Sequence, residues 1–456
     1  MPLTESQQDA LDAIVDAAND PEVGVILLTG YAGTGKTFTL AALVDELTQD
    51  LALALATPTH KASRCLEKAL TALGARVRYV QTVAQVLGQR LKRNLETGEE
   101  TFVYSDEIRE LPAELLVIDE ASMVPCEAYH RLVKIRQPHQ TLLFVGDPAQ
   151  VPPVKDGVLC PVFDGGADVH VQLTEVVRHG GPILTVATKT RERSLGRATY
   201  RTHRTKESSV CGYGSRQEWL ASFLAAACSE QALGDSDFAR AVCWTNKNVG
   251  ILNAAVRRMR YGDDAPPFCE GEVLMASNAI PDPLGGRPLL YSSAEMRVLG
   301  AEIFVAPVVY DDCVYVGMAH NGKRAYQAGN TEVPPWAFWR LTVDIGHGCK
   351  LRFCALDPAE RQRWADTRAG LRKLAREAGL EERKRINEVI FERSDQFGDV
   401  QPAAALTVHK SQGSTFRRVW IHPDTDGYGK PRPIHNRLAY VAITRAAEEL
   451  HVVADI

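Results

Sequence analysis

Gly30-Tyr31-Ala32-Gly33-Thr34-Gly35-Lys36-Thr37 follows the apolar run Val25 to Leu28 and leads into a stretch with helical character. The pattern is G-x-x-x-x-G-K-[ST] in the strand-then-helix setting it requires. Glycines let backbone N–H groups converge on a phosphate, and the helix N-terminus adds a positive dipole. Gly33, Thr34, Gly35, Lys36 and Thr37 are therefore the candidate phosphate ligands. Lys36 can neutralise β- and γ-phosphate charge, and the Thr37 hydroxyl can ligate Mg²⁺.

Outward from this turn, short apolar runs alternate with helical patterns: Leu51 to Ala56, Leu115 to Ile118 and Leu142 to Val145. Continuous apolar runs of that length fit strands covered on both faces of a parallel sheet, whose ligands sit at the carboxyl ends. Leu116-Val117-Ile118-Asp119-Glu120 ends one such run in two acids. Asp119 at a strand tip suits Mg²⁺, and Glu120 suits polarisation of an attacking water. Gly146-Asp147-Pro148-Ala149-Gln150 ends the next run, and Gln150 has the chemistry to sense a γ-phosphate or orient water.

The chain has 456 residues and a formal net charge of -5. Roughly 150 residues per domain predicts about three domains. The charge argues against a basic coat on duplex DNA but permits a narrow basic groove. Ten cysteines at irregular spacing read as reduced thiols. His347, Cys349 and Cys354 lack a second cysteine pair at zinc spacing and read as ordinary strand residues. No apolar stretch is long enough to cross a bilayer. Met1 to Asp12 is acidic, unlike a secretory or transit peptide, which makes a cytoplasmic location the default expectation.

Further along, a second α/β stretch includes Ala241 to Trp244. A segment from about Phe268 is rich in Gly, Pro and short β-like runs, such as Ile303 to Tyr310 and Trp339 to Val343. Asp357 to Arg393 carries helical spacings, as in Leu371, Leu374 and Ala375, and Gly379 divides it. After Val400 the α/β pattern returns. The expected fold is α/β, with one domain that leaves the sequence and re-enters it around an insert.

Two phosphate signals are shared by many proteins, so function depends on the remainder. Leu3-Thr4-x-x-Gln7-x-x-Ala10, Thr57-Pro58-Thr59-His60-Lys61-Ala62, Gln81-Thr82-Val83, Gly146 to Gln150, Val177-Arg178, Leu406 to Ser414 and Tyr440 to Ala446 run in one order along the chain. In that order they resemble the Q, Ia, Ib, III, IV, V and VI motifs of superfamily 1B helicases, the RecD-like and Dda-type branch. The resemblance implies two RecA-like P-loop domains with parallel sheets: 1–170 for the first, and 171–267 with 402–456 for the second. It implies a hairpin insert at 88–112 acting as a strand-separating pin, and an SH3-like β insert with a helical extension at 268–401. Gln7 would read adenine. Arg178 and Arg445 would reach the γ-phosphate from the second domain, and Gly413 belongs to the same nucleotide site. Thr57, Pro58, Thr59, His60, Thr82, Thr407 and His409 would contact DNA, through phosphates or stacking on bases. Each threonine and histidine is equally suited to capping a helix. Phe102 is the candidate wedge of the pin, with core packing as its alternative. Trp336, Phe338 and Trp339 read as core of the β insert.

These readings imply an ATP- and Mg²⁺-dependent motor that translocates 5′→3′ on single-stranded DNA and opens forked duplexes, in replication or repair. It would act as a monomer, in a bacterial cell or phage-infected host, with single-strand-binding or replication proteins as candidate partners. An RNA helicase or remodeller of the same superfamily and a non-motor nucleotide switch remain open. A 2′-OH contact would separate the first alternative, and sequence does not display one.

Overall fold

The computed structural model describes residues 3–47, 52–75, 80–104, 111–153, 156–175, 181–193, 200–282, 288–306, 314–318, 324–327, 336–346, 348–429 and 432–454. Arg178, His347 and the 307–310 end of the expected insert strand lie outside them.

All four apolar runs form strands. They are β1 (Val25–Gly30), β2 (Leu53–Thr57), β6 (Leu115–Ile118) and β7 (Thr141–Gly146), joined in the first lobe by β3 (Val80–Thr82) and β8 (Val169–Leu173). They make one parallel sheet in the order β3-β2-β6-β7-β1-β8. Every residue of β1, β6 and β7 is buried, as a sheet covered on both faces demands. One face packs Ile26, Leu28, Val117 and Val145 against helices α1 (Glu5–Asn19), α2 (Lys36–Leu47) and α3 (His60–Ala72). The other packs Leu27, Leu116, Ile118 and Phe144 against α5 (Cys126–Ile135), near the short α4 (Val83–Val86). The sheet runs to Leu173, just past the boundary expected at 170.

Between β3 and β6 lie two paired strands, β4 (Arg90–Asn94) and β5 (Glu99–Val103). Phe102 is 63% exposed. Tyr104 instead packs on the lobe, with the Arg131 guanidinium 4.0 Å over its ring. Of these two aromatics, Phe102 is the exposed one.

The second lobe opens with α6 (Pro182–Glu192), β9 (His203–Arg204), β10 (Ser209–Tyr213), α7 (Arg216–Ala227), α8 (Glu230–Gly234), β11 (Ala239–Cys243) and α9 (Asn246–Tyr261). An excursion through β12 to β18 follows. The lobe then resumes with β19 (Ala405–Thr407), α12 (Val408–Ser411), β20 (Phe416–Ile421), α13 (Pro433–Ile443) and β21 (Ala446–Val453). Its sheet order is β19-β11-β20-β21-β10-β9, parallel except for β9. Pairing of β19 with β11 returns the chain to this sheet after the excursion. The two lobes together form one compact unit: 1–92, 101–262 and 403–456.

The second unit comprises 93–100 and 263–402. Its sheet, β17-β16-β13-β12-β18, is antiparallel. The strands are β12 (Val273–Ala276), β13 (Glu295–Ala306), β16 (Trp336–Asp344), β17 (Lys350–Leu356) and β18 (Val400–Pro402), with β14 (Val314–Met318) and β15 (Arg324–Gln327) paired apart. Trp336, Phe338 and Trp339 are buried, and Trp339 Nε1 donates to Asp357 at 2.7 Å. They are core, as the sequence predicts. Cys354 is a residue of β17, and the described cysteines are all free thiols.

The helical segment divides at Gly379 into α10 (Arg361–Glu377) and α11 (Leu380–Ser394). It is the anchorage of the hairpin tip. Arg93 makes a bidentate ion pair with Asp395, Nη1 at 2.5 Å and Nη2 at 2.6 Å, and lies over the Phe391 ring. Asn387 Nδ2 donates to the Leu95 carbonyl at 2.7 Å, and Gly98, at φ 74°, leaves room for the Asn387 amide.

Candidate nucleotide site and nucleic-acid interface

The turn after β1 is built by its own polar groups. Lys36 Nζ donates to the carbonyls of Gly30 at 2.7 Å and Tyr31 at 3.2 Å, which holds the cation at the centre of the loop. Gly33 and Gly35 have φ of 91° and 84°, a region that side chains disfavour. Gln7 sits beneath. Thr4 and Gln7 form a capping box at the start of α1, and Gln7 Nε2 donates to the Thr34 carbonyl at 3.2 Å. A Cβ on Gly35 would collide with the Gln7 amide. The Thr4-x-x-Gln7 signature thus starts a helix and braces the phosphate loop at once.

Asp119 and Glu120 follow β6. Burial and the adjoining Glu120 carboxylate push the Asp119 carboxyl up to about 7, with Lys36 pulling it down. Two acids beside one lysine leave uncompensated negative charge. A divalent cation relieves that deficit, so Asp119 with the Thr37 hydroxyl fits Mg²⁺ by donor chemistry. Glu120 adopts φ 55°, ψ 43°, a left-handed conformation that is unusual for a residue with a side chain. Such strain concentrates at functional sites. No sequence signal announces it.

The second lobe meets this site through α13 and the loop after α12. Tyr440 Oη accepts from the Ala32 N–H at 2.9 Å and donates to Asp147 Oδ2 at 2.6 Å. Arg437, one turn earlier, donates to the Pro148 and Gln150 carbonyls at 2.6 and 2.7 Å. Gln412 Nε2 lies 3.4 Å from Gln150 Oε1, which Ser122 Oγ also approaches at 3.4 Å. Lys61 Nζ donates to the Lys410 carbonyl at 3.1 Å, and Gly413, at φ 73°, lies against Ala62. From α6, the Arg191 guanidinium stands 3.5 Å over the Tyr31 ring. Tyr440, Arg437, Asp147 and Arg191 received no role from sequence. The i, i+3 spacing of Arg437 and Tyr440 on one helix face was the available signal.

Arg445 is buried. Its guanidinium donates to the carbonyls of Val441 and Ser414 and to Thr444 Oγ1, tying α13 to the loop after α12.

The expected DNA residues gather at the starts of short helices. Thr59, Thr82 and Thr407 are N-caps of α3, α4 and α12, accepting from Ala62, Gln85 and Lys410 N–H groups. A capping hydroxyl uses its oxygen as acceptor and keeps its proton for a second partner. Thr57 differs: it is fully buried, donates to the Thr59 carbonyl and touches Ser63 Oγ, so it shapes the turn from inside. Pro58 is half-buried beside it. Burial, then Arg64, lowers His60 to about 4, and burial lowers His409 too. Both imidazoles are neutral at physiological pH and suit stacking or hydrogen bonding, not charge.

An AAA-domain family model matches residues 2–207, and a UvrD-like helicase C-terminal model matches 402–453. The ATP-dependent DNA helicase dda of Enterobacteria phage T4 is 24% identical over 486 residues, covering 99% of each chain. The RecBCD enzyme subunit RecD of Mycobacterium tuberculosis is 27% identical, over 95% of this chain and 67% of that protein. Together these likenesses support a RecD- and Dda-like superfamily 1B helicase. A solved Pif1 helicase, described in work on unwinding of forked duplex DNA, aligns over 100% of this chain and 93% of its own. Its TM-score is 0.50 at 19% identity, which shows the shared fold.

Two substitutions test the assignments. Lys36→Ala removes the cation at the centre of the loop. ATP hydrolysis should fall to background, with circular dichroism unchanged. Near-normal turnover by the folded variant would refute the site. Glu120→Gln is isosteric but cannot accept a proton from water. Nucleotide affinity should hold while kcat falls roughly 10²-fold or more. Lost affinity with normal kcat would refute the role.

Proposed function

We propose that the chain is an ATP-dependent 5′→3′ DNA helicase that translocates on single strands and separates duplexes at a fork. One observation carries the motor reading: the Tyr440 contacts to Ala32 and Asp147 join a helix of the second lobe to the phosphate loop of the first. A nucleotide bound at Lys36 therefore lies where two lobes meet. A switch needs only one lobe, whereas a motor needs a cleft that opens and closes with hydrolysis.

ATP would be held by the loop from Gly33 to Thr37, with Mg²⁺ at Thr37 and Asp119 and water polarised by Glu120. Mg²⁺ would neutralise developing phosphate charge. Gln7 would stand at the adenine side, bracing the loop through Thr34. Arg445 and Arg178 would supply the second lobe's positive charge, and arginine fingers contribute roughly 10³–10⁵ in rate. Arg445, tied to the Ser414 carbonyl, would reach the phosphates together with the Ser414 loop as the cleft closes. Because one chain supplies both lobes, a monomer suffices.

DNA would cross Thr59, His60, Thr82, Thr407 and His409, with Pro58 packing on bases and Thr57 holding the turn. The T4 dda and RecD names favour DNA over RNA, and the branch carries the 5′→3′ polarity. Phe102, solvent-exposed on the hairpin, would stack on the last base pair and block the excluded strand.

Saturating single-stranded oligonucleotide should raise the ATPase rate at least about tenfold, because strand contacts in both lobes favour closure. Binding should weaken with salt as counterions are released. A rate indifferent to DNA would favour the nucleotide switch, and stimulation by RNA alone would favour the RNA reading. Unwinding of forks with only a 5′ or only a 3′ tail tests polarity. Phe102→Ala should reduce unwinding severalfold while translocation on single strands and DNA-stimulated ATPase persist. A parallel fall in all three would make Phe102 a structural residue, and no change would place the wedge elsewhere.

A further inference from the structure

We propose that Tyr440 is a positioning residue through which the second lobe distinguishes a nucleoside triphosphate from a diphosphate in the first. The inference rests on the nucleotide site proposed above. Tyr440 Oη takes the Ala32 N–H, the third residue of the phosphate loop, at 2.9 Å. Backbone amides of such a loop are the groups that cradle phosphates. The phenol thus occupies a donor that a terminal phosphate oxygen would need. Its own proton goes to Asp147 at 2.6 Å, a carboxylate with no solvent exposure whose other oxygen accepts from the Ala149 N–H. Burial, then the Asp147 carboxylate, holds the phenol far above its ordinary range, so it remains a neutral donor.

The same helix face carries the consequence. Arg437 grips the carbonyls of Pro148 and Gln150, and Arg445 ties the far end of α13 to Ser414. α13 is therefore fastened to the first lobe at the phosphate loop and at the Asp147–Gln150 turn. A terminal phosphate that claims Ala32 N–H removes the first fastening and leaves the second. α13 can then pivot about Arg437, moving the Ser414 loop with it. A diphosphate leaves Ala32 to Tyr440. The hydroxyl converts the presence of one phosphate into a changed seat for the helix whose C-terminal end leads into Arg445. Arg191, over Tyr31 in the same loop, adds a cation beside the place the phosphate would take.

The test is Tyr440→Phe in the full chain, which keeps the ring and its packing but loses both hydrogen bonds. The probes are ADP and a non-hydrolysable ATP analogue with Mg²⁺, without DNA. Removing the competitor for Ala32 should tighten the triphosphate roughly fivefold or more, the scale of a coupling between sites, while ADP changes less than about twofold. DNA-stimulated kcat should fall more than the KM for ATP changes, since α13 no longer responds to the phosphate. Asp147→Asn should shift the triphosphate-to-diphosphate ratio in the same direction. The double variant should shift it no further than Tyr440→Phe alone, because the two groups act as one unit. An unchanged ratio in Tyr440→Phe overturns the proposal. Equal weakening of both nucleotides with a lowered melting temperature also overturns it, as a packing role would do that. The ratio is an equilibrium quantity, read whether or not the chain turns over ATP. Failure of the motor reading would show instead as DNA-independent hydrolysis by the unaltered chain.

Discussion

A triphosphate brings more negative charge to the turn after β1 than that lobe can meet. Lys36 is the loop's one side-chain cation, and Asp119 and Glu120 stand beside it. The imbalance is already felt without nucleotide, since Asp119 is driven up to about 7 by burial and its neighbour. Positive charge must come from elsewhere when ATP binds. A metal ion can supply part, and the second lobe must supply the rest. Much of the architecture answers this electrostatic shortfall: two sheets, strand ends that present loops to one cleft, and a helix, α13, that bears Arg437 and leads into Arg445.

Charge alone would draw the lobes together without fixing their register. Register comes from buried hydrogen bonds. Asp147, Gln150, Gln412, Tyr440 and Arg445 are all nearly or fully buried. A polar group buried without a partner costs about 1–3 kcal/mol, more if charged, so only an arrangement that satisfies all of them is tolerated. Several contacts use backbone carbonyls, as Arg437 does with Pro148 and Gln150. The lobes are thereby keyed to each other at turns that adjoin the proposed nucleotide site. A seat defined by a few directional bonds can be exchanged for another when a ligand takes one of the partners. A seat defined by a broad apolar surface could not be exchanged so readily.

The fold was legible wherever chemistry is local. Continuous apolar runs gave β1, β2, β6 and β7 within a residue or two, and the glycine pattern located the phosphate loop. Gly379 marked the break between α10 and α11. Legibility failed where a partner lies far along the chain. Tyr440 is separated by 408 residues from Ala32, and nothing near either residue points to the other. Threonine presents a different limit. At positions 59, 82 and 407 the same hydroxyl that could face a phosphate caps a helix, and sequence cannot rank two uses that geometry makes compatible. Thr57 looks identical in sequence, yet its proton is engaged inside the turn.

The hairpin shows why the helical extension exists at all. Two short strands joined by a turn are marginal in water, since a two-stranded ribbon has too little to bury. Most residues of β4 and β5 are exposed, so the ribbon has no apolar face to hold it. Such an element would bend under load. Here the tip, Arg93 to Glu100, is held by α11: Asp395 forks the Arg93 guanidinium, Phe391 lies under it, and Asn387 takes the Leu95 carbonyl. Planar bidentate pairing and a backbone contact fix direction as well as distance. The tip residue and its clamp lie 302 positions apart in sequence, which is why the extension read only as an amphipathic helix pair. Stiffness imported from a distant segment gives the tip of a ribbon with no core of its own a defined seat.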